Sequence, residues 1–153
     1  MRIALVQLTV GDDPAENLPE TLALVRAAAA GGAAFVLTPE CTNALSSNRD
    51  HQRRVLHAEA DDPTLAALQA EAKALGIWLL IGSAIVRSGH AGDDRAANRS
   101  LLVDANGGIV ARYDKLHVFD VELPNGETYR ESSTIRPGDG AVVADTPWGR
   151  LGL

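Results

Sequence analysis

The chain has 153 residues, 46% of them hydrophobic and 22% charged, which excludes a disordered polypeptide and suits one globular domain with one core. Its formal net charge of -6, with no basic cluster beyond Arg53-Arg54, excludes a general binder of nucleic acid or anionic membrane, because both partners select basic patches. A single cysteine, Cys41, cannot close an internal disulfide, and with neither a signal-peptide start nor an apolar run approaching ~18 residues the expectation is a soluble, cytoplasmic protein.

Arg2 to Thr9 has almost no polar interruption and predicts a short strand, covered on both faces or near the centre of a sheet. A helix over Pro14 to Ala30 follows. Asp13 can cap its free amides, Pro14 fits the first helical position, Leu18, Leu22, Val25 and Ala29 recur at helical spacing, and Gly31-Gly32 stops it. Ala33 to Thr38 predicts a second apolar strand, and strand, helix, strand with short joins is the pattern of a right-handed parallel crossover. Ligand sites lie beyond the carboxyl ends of such strands, where Pro39-Glu40 sits. After a polar stretch, Asp62 as cap, Pro63 at the start, Leu65, Leu68, Ala72 and Leu75 on one face and Gly76 at the end predict another helix, followed at once by a strand over Ile77 to Val86.

The rhythm then changes. Arg99 to Asp104 and Ile109 to Tyr113 flank Ala105-Asn106-Gly107-Gly108, and Asn-Gly between two apolar runs predicts a hairpin, so the sheet gains antiparallel members. Ala141 to Asp145 and Arg150 to Leu153 predict a second hairpin around Thr146-Pro147-Trp148-Gly149. The chain shows no internal repeat and no linker, and reads as one domain over residues 1–153.

Ionisable residues stand where a loop follows a strand at three places: Glu40, Lys115, and the acidic stretch with Glu127 and Glu131. Alone, each has a plain alternative, since a glutamate at a strand end is ordinarily a cap or a surface charge and a lysine after a hairpin is ordinarily solvated. Their local text adds weight. Thr38-Pro39-Glu40, then Tyr113-Asp114-Lys115-Leu116-His117, then Gly126-Glu127-Thr128-Tyr129-Arg130-Glu131-Ser132, then Trp148-Gly149-Arg150-Leu151-Gly152-Leu153 resembles the nitrilase superfamily of carbon–nitrogen hydrolases in content, order and spacing. The start, Ile3 to Leu8, is similar to that family's first strand, and Asp114 to Asp120 followed by Glu131-Ser132 looks most like the Nit branch, with ω-amidase and the amidase of deaminated glutathione.

The resemblance implies the N-terminal half of a four-layer α-β-β-α sandwich, C-terminally incomplete, from a homo-oligomeric enzyme that hydrolyses a small amide or nitrile without cofactor or metal. It implies three catalytic roles. Glu40 would be the base that takes a proton from an attacking thiol, its pKa raised by a closed pocket. Lys115 would face the negative charge of the tetrahedral intermediate, and Glu131, rather than Glu127, would orient that lysine. The family's cysteine nucleophile would fall about three residues past Leu153, at a strand-to-turn junction of the kind that exposes nucleophiles. Cys41 directly follows the base, and adjacent residues at a strand end point to opposite sides, so it reads as a small apolar filler. No histidine pair has ligand spacing. His117 is expected to order the loop carrying Lys115, and Arg130 to make a surface ion pair or, alternatively, to meet a substrate carboxylate. A non-catalytic α/β binding module that keeps Glu40 and Lys115 as inherited residues is the second reading open at this point.

Overall fold

The computed structural model describes residues 1–153. Three parallel strands come first, β1 (Ile3–Leu5), β2 (Phe35–Leu37) and β3 (Trp78–Arg87), joined through α1 (Pro14–Ala30) and then through α2 (Arg49–Val55), a 3-10 turn and α3 (Pro63–Leu75). The antiparallel strands β4 (Ala96–Val103) and β5 (Ile109–Asp114) complete a five-stranded sheet in the order β1-β2-β3-β4-β5. Two small hairpins follow, β6 (Asp120–Glu122) with β7 (Thr128–Arg130), and β8 (Val143–Thr146) with β9 (Gly149–Gly152).

The helix ends obey local chemistry. The Asp13 carboxylate accepts from the Ala15 amide and the Asp62 carboxylate from the Leu65 amide, and each helix begins with proline, whose missing N–H costs nothing there. Gly76 ends α3 at φ 63, a left-handed conformation suited to glycine. Both long helices cover one face of the sheet: Val25 of α1 and Leu65, Leu68 and Ala72 of α3 pack on Val36, Leu79, Ile81, Leu101 and Val103. Each of the valine, leucine and isoleucine side chains among these buries enough surface to contribute about 1.5–3 kcal/mol. The opposite face carries Phe35, Leu37, Trp78, Leu80 and Leu102 under the β8–β9 hairpin, where Trp148 stacks on Phe35 at 5.9 Å and meets Trp78 edge-on at 6.1 Å.

One expectation needs correction, and two elements carry no signal in the sequence. The first strand is only three residues long and lies at the sheet edge, not its centre, with Ile3 and Leu5 exposed on the face that no helix covers. The polar stretch before α3 contains α2, which has no buried residue and so no apolar periodicity to betray it, although Asn48 caps it through the His51 amide. The β6–β7 hairpin was not expected, because its strands are three residues each and largely exposed. No helix is long and apolar enough to cross a membrane.

Candidate functional site

The turn bearing Glu40 is built into the sheet. Beyond β2 the chain passes over β3 where the β3–β4 register shifts between Ile81 and Ala84. Gly82 lies in that bulge, and a Cβ there would stand 2.2 Å from the Thr38 carbonyl oxygen, so only glycine lets the two backbones approach. Ser83 binds the turn from below: its amide donates to the Pro39 carbonyl at 3.2 Å, its hydroxyl accepts from the Cys41 amide at 2.8 Å, and its carbonyl accepts from the Thr42 amide at 2.8 Å. The fully buried Asn43 then pairs with the backbone of Ile85 as a strand residue would, donating to its carbonyl and accepting from its amide, both at 2.8 Å.

Lys115 follows β5 directly. Its amide donates to the Asn98 carbonyl at 2.9 Å, and its carbonyl accepts from the Gly138 amide at 2.9 Å. Next to it, Asp114 receives a bidentate pair from Arg99 at 2.7 and 2.8 Å, which fixes the end of the strand. The ammonium of Lys115 then sits between two carboxylates, 2.9 Å from Glu40 Oε1 and 3.0 and 3.2 Å from the two oxygens of Glu131. Glu131 opens a 3-10 turn after β7 and also accepts the Phe119 amide. A buried asparagine, Asn98 of β4, donates from Nδ2 to Glu40 Oε1 at 2.8 Å.

Glu40, Lys115 and Glu131 line an open cleft together with Cys41, Phe119, Tyr129 and Ile135. Side-chain exposure runs from 59% for Glu40 through 27% for Lys115 to 20% for Glu131, so the outer side of Glu40 faces open space while the lysine is flanked. The Lys115 hydrogen bond holds the Glu40 carboxyl below the usual glutamate range; burial opposes this and Asn98 adds to it. A raised value was expected from a closed pocket, and the cleft is not closed. Burial pulls the Lys115 ammonium down, but its bonds to Glu40 and Glu131 together outweigh that and leave it raised. Both groups are therefore charged at neutral pH.

The structure brings Glu40, Lys115 and Glu131 to one point and leaves Glu127 exposed beside a turn. Cys41 lies on the same cleft as Glu40, not opposite it, because the chain turns there through φ 57 and strand alternation no longer applies. Its thiol is pushed up to about 11 by burial first and by the charges of Glu40 and Glu131 second, which disfavours the thiolate form. His117 is exposed and its side chain makes no hydrogen bond; the lysine loop is held instead by Asn98, Gly138 and the Tyr113 hydroxyl, which accepts from the Leu116 amide at 3.2 Å. Arg130 pairs with Glu122. Asn98 and Ser83 were missed by the sequence reading; a polar Asn98 directly after two alanines was the available signal. No three His, Cys, Asp or Glu side chains gather as a metal-binding group.

The carbon-nitrogen hydrolase family model matches residues 2–153. The deaminated glutathione amidase of Yersinia enterocolitica is 37% identical over 153 residues, which are 99% of this chain and 52% of that protein. The chain spans about half the length of the curated relatives it matches. Among solved structures, the C. elegans NitFhit protein superimposes with a TM-score of 0.85 at 30% identity, over 99% of this chain and 36% of that one. A mutant amidase from Nesterenkonia sp. AN1, with acrylamide joined by Michael addition to its active site cysteine, superimposes with a TM-score of 0.77 at 26% identity, over 99% of this chain and 56% of that one.

Proposed function

This chain belongs to the carbon-nitrogen hydrolase family, and we propose from that premise that it contributes the base and the oxyanion donor to cysteine-dependent hydrolysis of a small amide. Its helix layer and five-stranded sheet form one α-β half of the α-β-β-α sandwich that its structural relatives share. The observation that carries the proposal is the position of Lys115 Nζ, within 3.2 Å of both Glu40 and Glu131 on a cleft at the carboxyl edge of the sheet.

That arrangement suits a proton cycle. Glu40 takes the thiol proton, and the thiolate sulfur attacks the amide carbon. Lys115 stabilises the carbonyl oxygen as it becomes negative. The C–N bond then breaks, the nitrogen leaves as ammonia with the proton returned by Glu40, and water hydrolyses the thioester to release the acid and restore the thiol. Two carboxylates on one lysine make sense here: when Glu40 is protonated and neutral, Glu131 still holds Lys115 charged and aimed. With both glutamates ionised the trio carries one net negative charge, and proton uptake by Glu40 leaves it neutral with Glu131 still paired to Lys115.

The thiol is assigned to a cysteine after Leu153, in the portion of the relatives that this chain does not span, and the 1–153 domain is accordingly read as incomplete. Cys41, with its raised pKa, is the weaker candidate. The substrate class is small ω-amides, by the Nit-like text around Lys115 and Glu131 and by the amidase names of the relatives; a nitrile is the alternative electrophile. The cytoplasmic setting and homo-oligomeric assembly belong to the same reading.

The test is ammonia release from succinamate, with intact mass after iodoacetamide. The 153-residue chain should release none above background, and a polypeptide continued through its C-terminal half should turn over. Within that longer polypeptide, Glu40→Gln and Lys115→Ala should each lower kcat by at least about a hundredfold. Turnover by the short chain that is lost in Cys41→Ala would overturn the assignment of the nucleophile. A longer polypeptide that binds but never hydrolyses amides would leave a binding module instead.

A further inference from the structure

We propose that Asn98 is a positioning residue of this site, holding Glu40 Oε1 against Lys115 and so reserving Glu40 Oε2 as the oxygen that takes the proton. The proposal rests on reading Glu40 as the general base. Asn98 is 3% exposed, and a buried amide is kept only where its donors and acceptors are satisfied. Its side chain donates to Glu40 Oε1 at 2.8 Å and its backbone carbonyl accepts the Lys115 amide at 2.9 Å. One residue thus ties together the base and the loop of the oxyanion donor, which are 75 positions apart in sequence.

The frame behind Asn98 is rigid. β4 lies between β3 and β5, and Asn98 is registered opposite Ile85, whose amide in turn donates to the Asn43 side chain that pins the Glu40 turn. Glu40 Oε1 accepts from an ammonium and an amide at once, whereas Oε2 accepts from neither. A carboxylate oxygen already engaged by two donors is the poorer proton acceptor, so the two bonds select Oε2 as the basic atom. Asn98 has no proton to gain or lose, so it can orient the carboxylate without competing for the proton. It also favours the ionised form of Glu40, in keeping with the lowered value of that carboxyl.

A purely architectural asparagine would matter for folding but would leave the titration of Glu40 alone. The test is a carbon-13 NMR titration of the Glu40 carboxyl in the polypeptide continued through its C-terminal half, unsubstituted and as Asn98→Ala and Asn98→Asp, with Glu40→Gln identifying the resonance. Asn98→Ala should raise the Glu40 midpoint by about one pH unit through loss of a donor to the charged form. Asn98→Asp, of nearly the same shape, should raise it further by setting a like charge beside it, and it carries the test if the alanine variant does not fold. The acid limb of kcat/KM should move with the midpoint, with kcat falling more than KM rises. An unchanged Glu40 midpoint in a folded Asn98 variant overturns the proposal. Absence of amide hydrolysis by the unsubstituted longer polypeptide overturns the functional reading instead, and the titration still decides whether Asn98 holds Glu40.

Discussion

The two sides of the cleft are held by different physics. The Glu40 turn is fastened to β3 from within: Thr38, Thr42, Asn43 and Ser83 are all buried, and their bonds close against backbone across the bulge at Gly82. The arm that carries Lys115 and Glu131 is mostly exposed from His117 to Ser133, and it is held by polar contacts such as Asp120 on Ser132, Glu131 on the Phe119 amide, and Lys115 on both glutamates. Buried hydrogen bonds are costly to break because the freed groups find no water, whereas exposed ones exchange with solvent cheaply. The Glu40 turn is thereby fixed by folding itself, while the lysine is aimed by contacts that charge, salt and pH can alter.

The most damaging substitution on the Glu40 side should be Gly82→Ala. Its methyl group would meet the Thr38 carbonyl oxygen at 2.2 Å and the Pro39 carbonyl oxygen at 2.7 Å, both backbone atoms unable to rotate away. A loss of about 3 kcal/mol in urea unfolding is expected, together with displacement of Glu40. A loss under about 1 kcal/mol would show that the bulge is soft and the contrast between the two sides false. Asn43→Ala comes next, at roughly 2 kcal/mol, because it strands the amide and carbonyl of Ile85 in the interior.

On the arm, Asp120→Ala should act in the opposite sense. Asp120 accepts the amide and hydroxyl of Ser132, beside Glu131, from an exposed position. Unfolding should hardly change while kcat of the longer polypeptide falls, since only the aim of Glu131 and Lys115 is disturbed; a melting temperature that drops in step with activity would place the arm in the folding core after all.

The smallest effect sharpens the contrast through pH. The Glu40 carboxyl is lowered, so its contribution to stability is present above the ordinary value of 4.5 and is lost as pH falls through the lowered one. The Lys115 ammonium is raised, so its contribution is present below 10.5 and is lost as pH rises through the raised value. The contact should therefore be constant between about pH 5 and 10 and weaken on both sides of that window, modestly, because Glu40 is more than half exposed. Thermal melts of Glu40→Gln should differ least from the parent outside the window. A difference that persists unchanged at pH 3 would mean that Glu40 matters for its shape and not for its charge.

How much of this was legible beforehand depended on range. Asp13-Pro14 and Asp62-Pro63 mark helix starts, Leu65, Leu68 and Ala72 share one helical face, and Asn106-Gly107 turns a hairpin; each is a short-range signal, and each element formed where the residues put it. The order of Glu40, Lys115 and Glu131 was likewise visible, because a motif is read along the chain. Elements without apolar periodicity, α2 and the β6–β7 hairpin, were silent.

What the sequence by itself determined, then, is the local elements, one parallel crossover and the identity of three charged residues after strands. Only the tertiary structure decided that Lys115 lies between Glu40 and Glu131, that Cys41 faces the same cleft with its thiol pKa pushed up, and that Asn98 reaches Glu40 across 58 positions. The physical reason is that capping and periodicity act over a few residues of chain. Convergence, burial and the resulting pKa shifts are set by neighbours that sheet order and the β3 bulge bring together, and no local pattern encodes them.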